Sequence, residues 1–492
     1  MDKIGNIGEI KTGRFYTRDD WGKPDQPNIW SGDKPSELSS NIDFVFEDKN
    51  GIWGSDDDTD IEYMYQYLMY KNQTNILSGD QIREGWLTHI KKEEENYLWV
   101  SNQTAFDLMH DGIIPPETSL PKNNSNYEMI DAQLTTEIFG FFAPARPDIA
   151  LKLSHLPIRT TAKLDAEWIS EFYVIMYSLA SYVDENKPIK DNIFWMAEHS
   201  RKRLPNNSYP AKMYDFVKSS YDAGIAWEEV RDEIYIKYQV NQDDGYNLTS
   251  KELYCNACFA AGINYAASIV SLLYGEGDII ETIKIGTLSG WDSDNPTSTW
   301  GGLIGFMIGK DGVENAFGKQ FSNRYNIHRT RIGFPNNGID TFDHMAEVGV
   351  YIVDRVVQEQ MGGGIDLKKD NISNLDNSKK AILKKTNINN VKKYNLKIGP
   401  KIKAFRRQLG IQANKLADQI GISASYLNLI ESGKRNIDSN LIIKICYELK
   451  INVSDLTNKV DLNLESNISE LLSDEIFEDL DILGPEVKDL VA

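Results

Sequence analysis

Apolar residues recur at helical spacing over most of the chain between about residues 60 and 360, and the alternating runs typical of strands are scarce. Residues 61–70 place their apolar side chains on one face of a helix. Residues 166–183 and 259–278 are apolar nearly all round, which is typical of helices buried in a core. Residues 1 to about 50 are polar with little periodicity, as loops are. The pattern predicts an all-α fold for a large first domain.

The sequence MGGG at 361–364 interrupts the helical pattern, and a different composition follows it. Between residues 366 and 407 there are thirteen Lys or Arg against three acids and few aromatic residues, which favours a flexible linker in the first part. Helical periodicity resumes at about residue 396, and the segment after 461 is strongly acidic. We therefore predict a large helical domain over 1–360, a basic flexible linker over 361–395, a small five-helix domain over 396–458 and an acidic tail over 459–492.

Composition narrows the classes of protein to consider. The formal net charge of -20 argues against nucleic acid bound over the whole surface, but it leaves room for one local basic patch. No apolar run is as long as a membrane-spanning helix, and the first residues lack the apolar core of a signal peptide. Cys255 and Cys258 have no further zinc ligands at matching spacing, so buried packing is the favoured role for both. The simplest interpretation is a cytoplasmic protein without membrane contact.

Two acidic clusters stand before predicted helices. Asp56, Asp57 and Asp58 are consecutive, and Asp292 and Asp294 are one residue apart. A helix start needs only one capping side chain, and adjacent carboxylates repel one another. If the two helix starts meet, five carboxylates can enclose one or two hard divalent cations, which prefer oxygen ligands. Solvated turns and simple caps are the alternative interpretation of each cluster taken alone.

The two clusters lie in motifs that resemble a known family. GSDDDTD (54–60) and GWDSDNPTSTWGGLIG (290–305) resemble the two metal motifs of the ADP-ribosylglycohydrolase superfamily, which includes the dinitrogenase reductase-activating glycohydrolases. Segments 82–90, 112–119, 131–150 and 263–278 are similar, in the same order, to the large branch of that family. The resemblance covers about residues 50 to 355. It implies an all-α domain that binds two divalent cations, usually Mg²⁺ and sometimes Mn²⁺, and hydrolyses the bond between ribose C1 and its leaving group.

The resemblance also implies roles for individual residues. Its metal-ligand positions fall on Asp56, Asp57, Asp58, Asp292, Asp294 and Asn295. The catalytic group we predict is Asp57, Asp58, Asp292 and Asp294. A bound cation can orient the ribose hydroxyls and lower the pKa of a water, while a carboxylate acts as base towards an oxocarbenium-like C1. Thr161, Asn264 and Trp291 are implied as substrate-binding residues, although Asn264 and Trp291 fit packing roles equally well.

This chain departs from the family pattern at several positions. Asp56 replaces a common Thr, Asn295 replaces Thr, Ser or Cys, and Ala162 replaces the His of a substrate-contacting loop. The acidic helix that opens the family is not recognisable in residues 1–30, and Glu37 and Glu47 are candidates to replace its acid. Two functions therefore stay open. One is a hydrolase of N- or O-linked ribosyl bonds, acting on ADP-ribosylated protein or an ADP-ribose-like molecule. The other is a transcription regulator whose weak hydrolase-like domain senses an ADP-ribose or nucleoside ligand.

Residues 398–456 resemble a helix-turn-helix domain of the phage-repressor type. A basic helix over 401–410 precedes two short helices separated by a turn, and Ser423 is placed to cap the second of them. In that fold the second helix enters the major groove, and the resemblance implies base contacts from Ser425, Tyr426 and Asn428. It implies phosphate contacts from Arg406, Arg407, Lys434 and Arg435. The expected partner is double-stranded DNA bound by a homodimer formed through this C-terminal region, and the alternative is a protein-interaction module.

Overall fold

The protein is described by a computed structural model. It covers residues 4–6, 9–10, 15–24, 39–92, 95–184, 186–251, 257–366, 371–373, 398–407, 409–420, 422–432, 434, 441, 445 and 448–449. The chain divides into two compact units, Met1–Ser373 and Asn374–Ala492. The described residues of both units are mostly helical, which confirms the predicted all-α class. The first unit continues past its predicted end at residue 360.

The first unit is built from helices of very different lengths. Its α-helices, among the described residues, are α1 Thr59–Lys71, α2 Gly79–His89, α3 Val100–His110, α4 Asp131–Thr135, α5 Ile138–Phe141, α6 Pro147–Leu153, α7 His155–Ile158, α8 Asp165–Leu179, α9 Ile189–Arg201, α10 Tyr209–Asp222, α11 Trp227–Ile234, α12 Ala261–Gly275, α13 Ile279–Ser289, α14 Asp294–Phe317 and α15 Phe342–Val356. Short 3-10 segments lie at Arg18–Asp20, Glu117–Ser119, Ala180–Tyr182, Asp243–Gly245, Leu248–Lys251, Ile327–Arg329 and Pro335–Gly338, and π-helical turns follow α11 at Tyr235–Val240 and α15 at Val357–Met361.

Within the described residues, the strands of the first unit are short and form three small sheets. They are β1 Ile4–Asn6, β2 Glu9–Ile10, β3 Trp53–Gly54, β4 Arg324–Asn326, β5 Ile339–Thr341, β6 Gly364–Asp366 and β7 Asn371–Ser373. β1 pairs with β2 and β6 with β7, both antiparallel. In the third sheet β3 runs parallel to β4, and β4 runs antiparallel to β5. This sheet matters for function because β3 ends directly before the first acidic cluster.

The core of the first unit is organised around α8 and α12. Nearly every side chain of both helices is buried, as their apolar sequences predict. Two hydrogen bonds fasten α14 to them: Tyr177 Oη donates to the carbonyl of Thr299 at 2.7 Å, and Trp300 Nε1 donates to the carbonyl of Ser268 at 2.9 Å. The start of α14, which carries the second acidic motif, is therefore held by the centre of the fold. None of the helices in the described part of the chain is long and apolar enough to span a membrane.

The second unit contains the helices of the predicted helix-turn-helix. They are α16 at 398–407, α17 Ala413–Ile420 and α18 Ala424–Glu431. Ser423 caps α18 as predicted, because its Oγ accepts a hydrogen bond from the Tyr426 N–H at 3.2 Å. Buried Ile402, Leu416 and Leu427 join the three helices in one small core. The acidic tail over 459–492 and most of the two further predicted helices lie outside the described residues.

Candidate functional site

The first acidic motif forms a turn between β3 and α1. Ser55 Oγ donates to the carbonyl of Asn326 at 2.7 Å, so the side chain that follows β3 adds to its pairing with β4. Asp56 Oδ1 accepts hydrogen bonds from the N–H groups of Asp58 at 2.9 Å and Thr59 at 3.0 Å. Asp56 therefore caps α1, and Asp57 and Asp58 are not needed for that purpose. Its role as a metal ligand stays a prediction.

The second acidic motif follows a tight turn between α13 and α14. Gly290 has φ +94°, where an L side chain would be strained, and a Cβ there would lie only 3.2 Å from the Phe15 ring. Trp291 also has positive φ, and the N–H of Asp292 donates to Asn264 Oδ1 at 2.9 Å. These constraints place Asp292, which is 8% exposed, just before α14. Asp294, at the first position of that helix, is exposed.

Electrostatic interactions show that the two motifs lie close together. Burial, followed by the charges of Asp56 and Asp294, raises the pKa of Asp57 to about 6. Burial raises the pKa of Asp58 well above its ordinary value, and Asp57, Asp56 and Asp292 raise it further. The first motif thus interacts with both aspartates of the second. The α1 and α14 starts therefore place carboxylates from distant parts of the sequence within electrostatic range of one another.

Further acids border this cluster and were missed by the sequence analysis. Asp131 on α4, buried, accepts hydrogen bonds from Ser101 Oγ at 2.6 Å and the Asn102 N–H at 3.0 Å, and its charge acts on Asp58. Glu62 Oε1 accepts from the Ile138 N–H at 3.0 Å. These residues stand in ordinary helical sequence, so only their long-range contacts reveal them.

Glu137 is a third missed acid, next to Glu62. It is 3% exposed, and its Oε1 accepts a hydrogen bond from Thr299 Oγ1 on α14 at 2.9 Å. Burial raises the pKa of Glu137 to about 7. Burial, and then the charge of Glu137, raises the pKa of Glu62 well above its ordinary value. The two glutamates therefore retain a proton near neutral pH more readily than isolated side chains do.

The donor chemistry of the cluster fits hard divalent cations. Carboxylate and amide oxygens are the ligands that such ions prefer. Asn295 is fully buried, and in the described part of the chain neither of its amide atoms has a hydrogen-bond partner. Burial, and then the neighbouring carboxylates, raise the pKa values of Asp57 and Asp58, and a bound cation would offset both effects by stabilising the charged carboxylates. In the part of the chain that the structure describes, no three His, Cys, Asp or Glu side chains already converge closely enough to hold an ion. Binding would therefore require the carboxylates to move together.

We expect the metal-free protein to lose stability as the pH rises from about 5 to about 8. Burial raises the pKa of Asp60 to about 8, and the pKa of Glu137 is about 7, whereas unfolded carboxyls titrate near pH 4. The stabilisation from these bound protons is complete below about pH 4 and disappears as the pH rises through the folded-state values. Urea unfolding in EDTA measures the loss, which should be on the order of a few kcal/mol.

An Asp60→Asn variant is the matched control for this pH dependence. The amide has nearly the same shape but no titrating proton, so its unfolding midpoint should change less with pH than that of the wild type. Saturating Mg²⁺ should also lessen the loss, because the cation binds the deprotonated carboxylates. A wild-type midpoint in EDTA that rises with pH over this range would contradict the expectation.

Two of the three predicted substrate-binding residues have structural roles. Asn264 Nδ2 donates to the carbonyls of Cys258 and Ala260 at 2.8 and 2.9 Å, and its Oδ1 accepts from the Asp292 N–H. Trp291 is 2% exposed, and its Nε1 donates to Gln239 Oε1 at 2.6 Å. Both side chains thus hydrogen-bond within the protein, as the packing alternative expects, and their contacts to a substrate stay predictions. Thr161 is also buried, and its substrate contact stays a prediction.

The loop before α8 is held by a buried network of charges. Arg159 pairs with Glu167 and, at 3.1 Å, with Glu171, while Lys163 Nζ lies 2.7 Å from Glu167 Oε2. Although burial raises it, the charges of Arg159 and Lys163 lower the pKa of Glu167 to about 2. Ala162 within this loop is 1% exposed. The loop is therefore fixed in place but presents an apolar methyl group where the resemblance implies an imidazole.

The candidates for the missing N-terminal acid gain no support from the structure. Glu37 lies outside the described residues, and Glu47 Oε1 accepts from the N–H of Asp48 in a surface turn. The expected role of Cys258 also needs correction. Its side chain is buried as predicted, but it is disulfide-bonded rather than a free packing cysteine, and Cys255 lies outside the described residues.

The predicted DNA-binding residues fall into two groups. Ser425 and Asn428 on α18 are exposed, and Tyr426 is half-buried, so this face of the helix is accessible. Arg407 and Lys434 are exposed as phosphate contacts must be, whereas Arg435 lies outside the described residues. The face that would enter a major groove is thus open to a ligand.

Arg406 was predicted to contact phosphate, and the structure corrects this prediction. Its Nε and Nη2 donate to the two carboxylate oxygens of Glu431 at 2.6 and 2.8 Å, and its Nη1 donates to the carbonyl of Ile411 at 2.8 Å. Arg406 is 7% exposed and Glu431 is 2% exposed. The guanidinium therefore joins α16 to α18 inside the unit, and it is not available to DNA.

Comparisons with known proteins agree with both resemblances. The family model for ADP-ribosylglycohydrolase matches residues 18–338, and a helix-turn-helix family model matches residues 402–456. A propionyl-CoA carboxylase regulator from Cereibacter sphaeroides is 27% identical to this chain over 92 residues. That alignment covers 19% of this chain and 19% of the regulator, so the similarity spans about a fifth of either protein.

Proposed function

Because the chain belongs to the ADP-ribosylglycohydrolase family over residues 18–338, we propose that its first unit is a divalent-metal-dependent hydrolase of ribosyl bonds. The proposed substrate is ADP-ribose joined to protein through an N- or O-glycosidic bond. One observation supports the proposal: the charges of Asp294 and Asp292, at the start of α14, raise the pKa values of Asp57 and Asp58 at the start of α1. Such mutual repulsion is disfavoured unless the site binds a positive charge.

The protein's own residues supply most of the proposed mechanism. Asp57, Asp58, Asp292 and Asp294 would hold the cations, with Asn295 and Asp56 as further oxygen donors. When bound, Mg²⁺ or Mn²⁺ would coordinate ribose hydroxyls and lower the pKa of a water molecule. A carboxylate of the cluster accepts the proton of the attacking water, and the remaining negative charge stabilises the oxocarbenium character that grows at C1. Partial burial strengthens this stabilisation because little water screens it.

The helix-turn-helix match supports a second activity, binding of double-stranded DNA by the second unit. Ser425, Tyr426 and Asn428 on the accessible face of α18 would contact base edges, and Arg407 and Lys434 would contact phosphates. Domains of this type usually bind as dimers, so we propose a homodimer on a two-fold symmetric site. DNA binding would regulate the protein's own gene or bring the hydrolase to chromosomal targets.

A release assay tests the hydrolase. Full-length protein should release ADP-ribose from ADP-ribosylated protein in Mg²⁺ or Mn²⁺ and should not do so in EDTA. Arginine-linked and serine-linked substrates are assayed in separate reactions, and chromatography measures the ADP-ribose that each releases. The comparison distinguishes N- from O-glycosidic specificity. No release from either substrate with either cation would contradict the proposed activity.

A second candidate function is a transcription regulator that senses an ADP-ribose or nucleoside ligand without turnover. The buried Ala162 favours it, because the loop offers no imidazole to a substrate. The partial similarity to a protein named as a regulator also supports it. Binding of ADP-ribose without hydrolysis, coupled to a change in DNA affinity, would favour the sensor. Turnover that is unaffected by DNA would favour the enzyme.

A further inference from the structure

A buried arginine outside both acidic motifs lies against the first of them. Arg331 follows the 3-10 segment Ile327–Arg329 and is 0% exposed. Its Nη2 donates to the carbonyl of Asp57 at 2.5 Å, and its Nη1 donates to the carbonyls of Asn96 at 2.7 Å and Thr330 at 3.2 Å. The guanidinium thus connects the acidic turn to two other segments of the fold.

The hydrogen bonds of Arg331 are unusual because their acceptors are backbone carbonyls although carboxylates lie nearby. The charges of Asp56, Asp57, Asp58 and Asp60 all act on Arg331, so carboxylates are near. A guanidinium beside a carboxylate commonly forms a two-pronged ion pair with it. Arg331 instead donates to backbone carbonyls, and its buried Nε has no hydrogen-bond partner among the described residues. The hydrogen bonds of Arg331 therefore do not engage the carboxylates of Asp57 and Asp58, while its fixed positive charge reduces the repulsion between them.

We propose that Arg331 is a positioning residue for the cation site: it holds the backbone of the Asp56–Asp58 turn so that its carboxylates face the second motif. The inference rests on the proposed metal-dependent function. The hydrogen bond to the Asp57 carbonyl fixes the peptide between two proposed ligands, because that carbonyl belongs to the bond joining Asp57 to Asp58. Rotation of this peptide would turn the two side chains in different directions.

The positive charge of Arg331 and its hydrogen bonds predict opposite effects of Arg331→Gln on cation affinity. Arg331→Gln removes a positive charge from beside the site, which by itself would tighten cation binding. It also removes the clamp on the Asp57 carbonyl, which would weaken binding because the ligands must be ordered anew. We expect the loss of the hydrogen bond to the Asp57 carbonyl to outweigh the loss of the positive charge. Isothermal titration of the metal-free full-length protein should give about tenfold weaker Mn²⁺ affinity for Arg331→Gln than for the wild type.

A second variant covers the case in which Arg331→Gln fails to fold. Arg331→Lys keeps the charge but cannot donate to the Asp57, Asn96 and Thr330 carbonyls from one planar group. Electrostatics alone predicts unchanged Mn²⁺ affinity for this variant, and positioning predicts a loss of at least about threefold. Faster amide exchange over residues 58–61 in either variant would support loss of order in the turn.

Arg83→Gln is the matched control, because Arg83 Nε donates to the carbonyl of Met109 between α2 and α3. Its Mn²⁺ affinity should equal that of the wild type. Equal or tighter Mn²⁺ binding by Arg331→Gln, or unchanged binding by Arg331→Lys, overturns the positioning role while the metal-dependent function stands. A wild-type protein that binds neither Mn²⁺ nor Mg²⁺ overturns both.

Discussion

Asp292→Asn should reduce Mg²⁺-dependent release of ADP-ribose by about 1,000-fold, which corresponds to about 4 kcal/mol of transition-state stabilisation. Asp292 is the buried member of the second motif, and its charge reaches Asp58 of the first. The substitution removes a charged oxygen of a proposed cation ligand at the start of α14. It preserves the hydrogen bond to Asn264 Oδ1, because the donor is the backbone N–H. The loss should therefore reflect chemistry rather than misfolding, and kcat/KM at saturating Mg²⁺ measures it.

Asp311→Asn is the control further along α14, beyond the kink at Gly309. Asp311 is exposed near the other end of α14, so its substitution removes an equal charge without changing the cluster. Its kcat/KM should stay within about twofold of the wild type. Mn²⁺ titration of both variants separates lost binding from lost turnover. Activity of Asp292→Asn within about tenfold of the wild type would remove Asp292 from the proposed catalytic group.

The central helices could be predicted from sequence because their signal is local. Predicted segments 166–183 and 259–278 correspond to α8 Asp165–Leu179 and α12 Ala261–Gly275, since a helix buried on all sides is apolar on all sides. The β3–β4 pairing could not be predicted in the same way. Its strands have two and three residues, too few for a periodic pattern, and the paired residues are far apart in the sequence.

The candidate site was predictable only where short motifs mark it. Two acidic motifs before helices suggested a shared cation site, and the charges of the second motif do act on Asp57 and Asp58 of the first, although the cation site itself stays a prediction. Glu137 and Arg331 carry no comparable mark, because a buried charge is explained by its spatial partners and not by its sequence neighbours. Arg406 shows the converse error. A basic helix predicts phosphate contacts, yet Glu431 lies within reach after folding and takes this guanidinium into the core.

Arg406→Met should destabilise the helix-turn-helix unit by about 3–5 kcal/mol, because it leaves the carboxylate of Glu431 buried without its partner. A buried charge without a partner costs far more free energy than the loss of the attraction between two exposed charges. Hydrogen exchange of the full-length protein measures the effect within the unit. Protection of the α17 amides should fall about 100-fold or more, since every 1.4 kcal/mol corresponds to a factor of ten. Protection of α8 and α12 in the first unit should not change.

Two further variants distinguish a structural arginine from a DNA-binding one. Arg406→Met combined with Glu431→Leu removes both charges and should recover most of the protection, because no buried charge is left unpaired. Arg407→Met changes the exposed neighbour, so it should preserve protection. It should also weaken binding to a DNA site selected from a random pool with the wild-type protein, and lower the salt dependence of that binding by about one counterion. Full amide protection in Arg406→Met, together with a lower salt dependence of its DNA binding, would be the opposite outcome. That outcome would show that Arg406 contacts phosphate, as the sequence predicts.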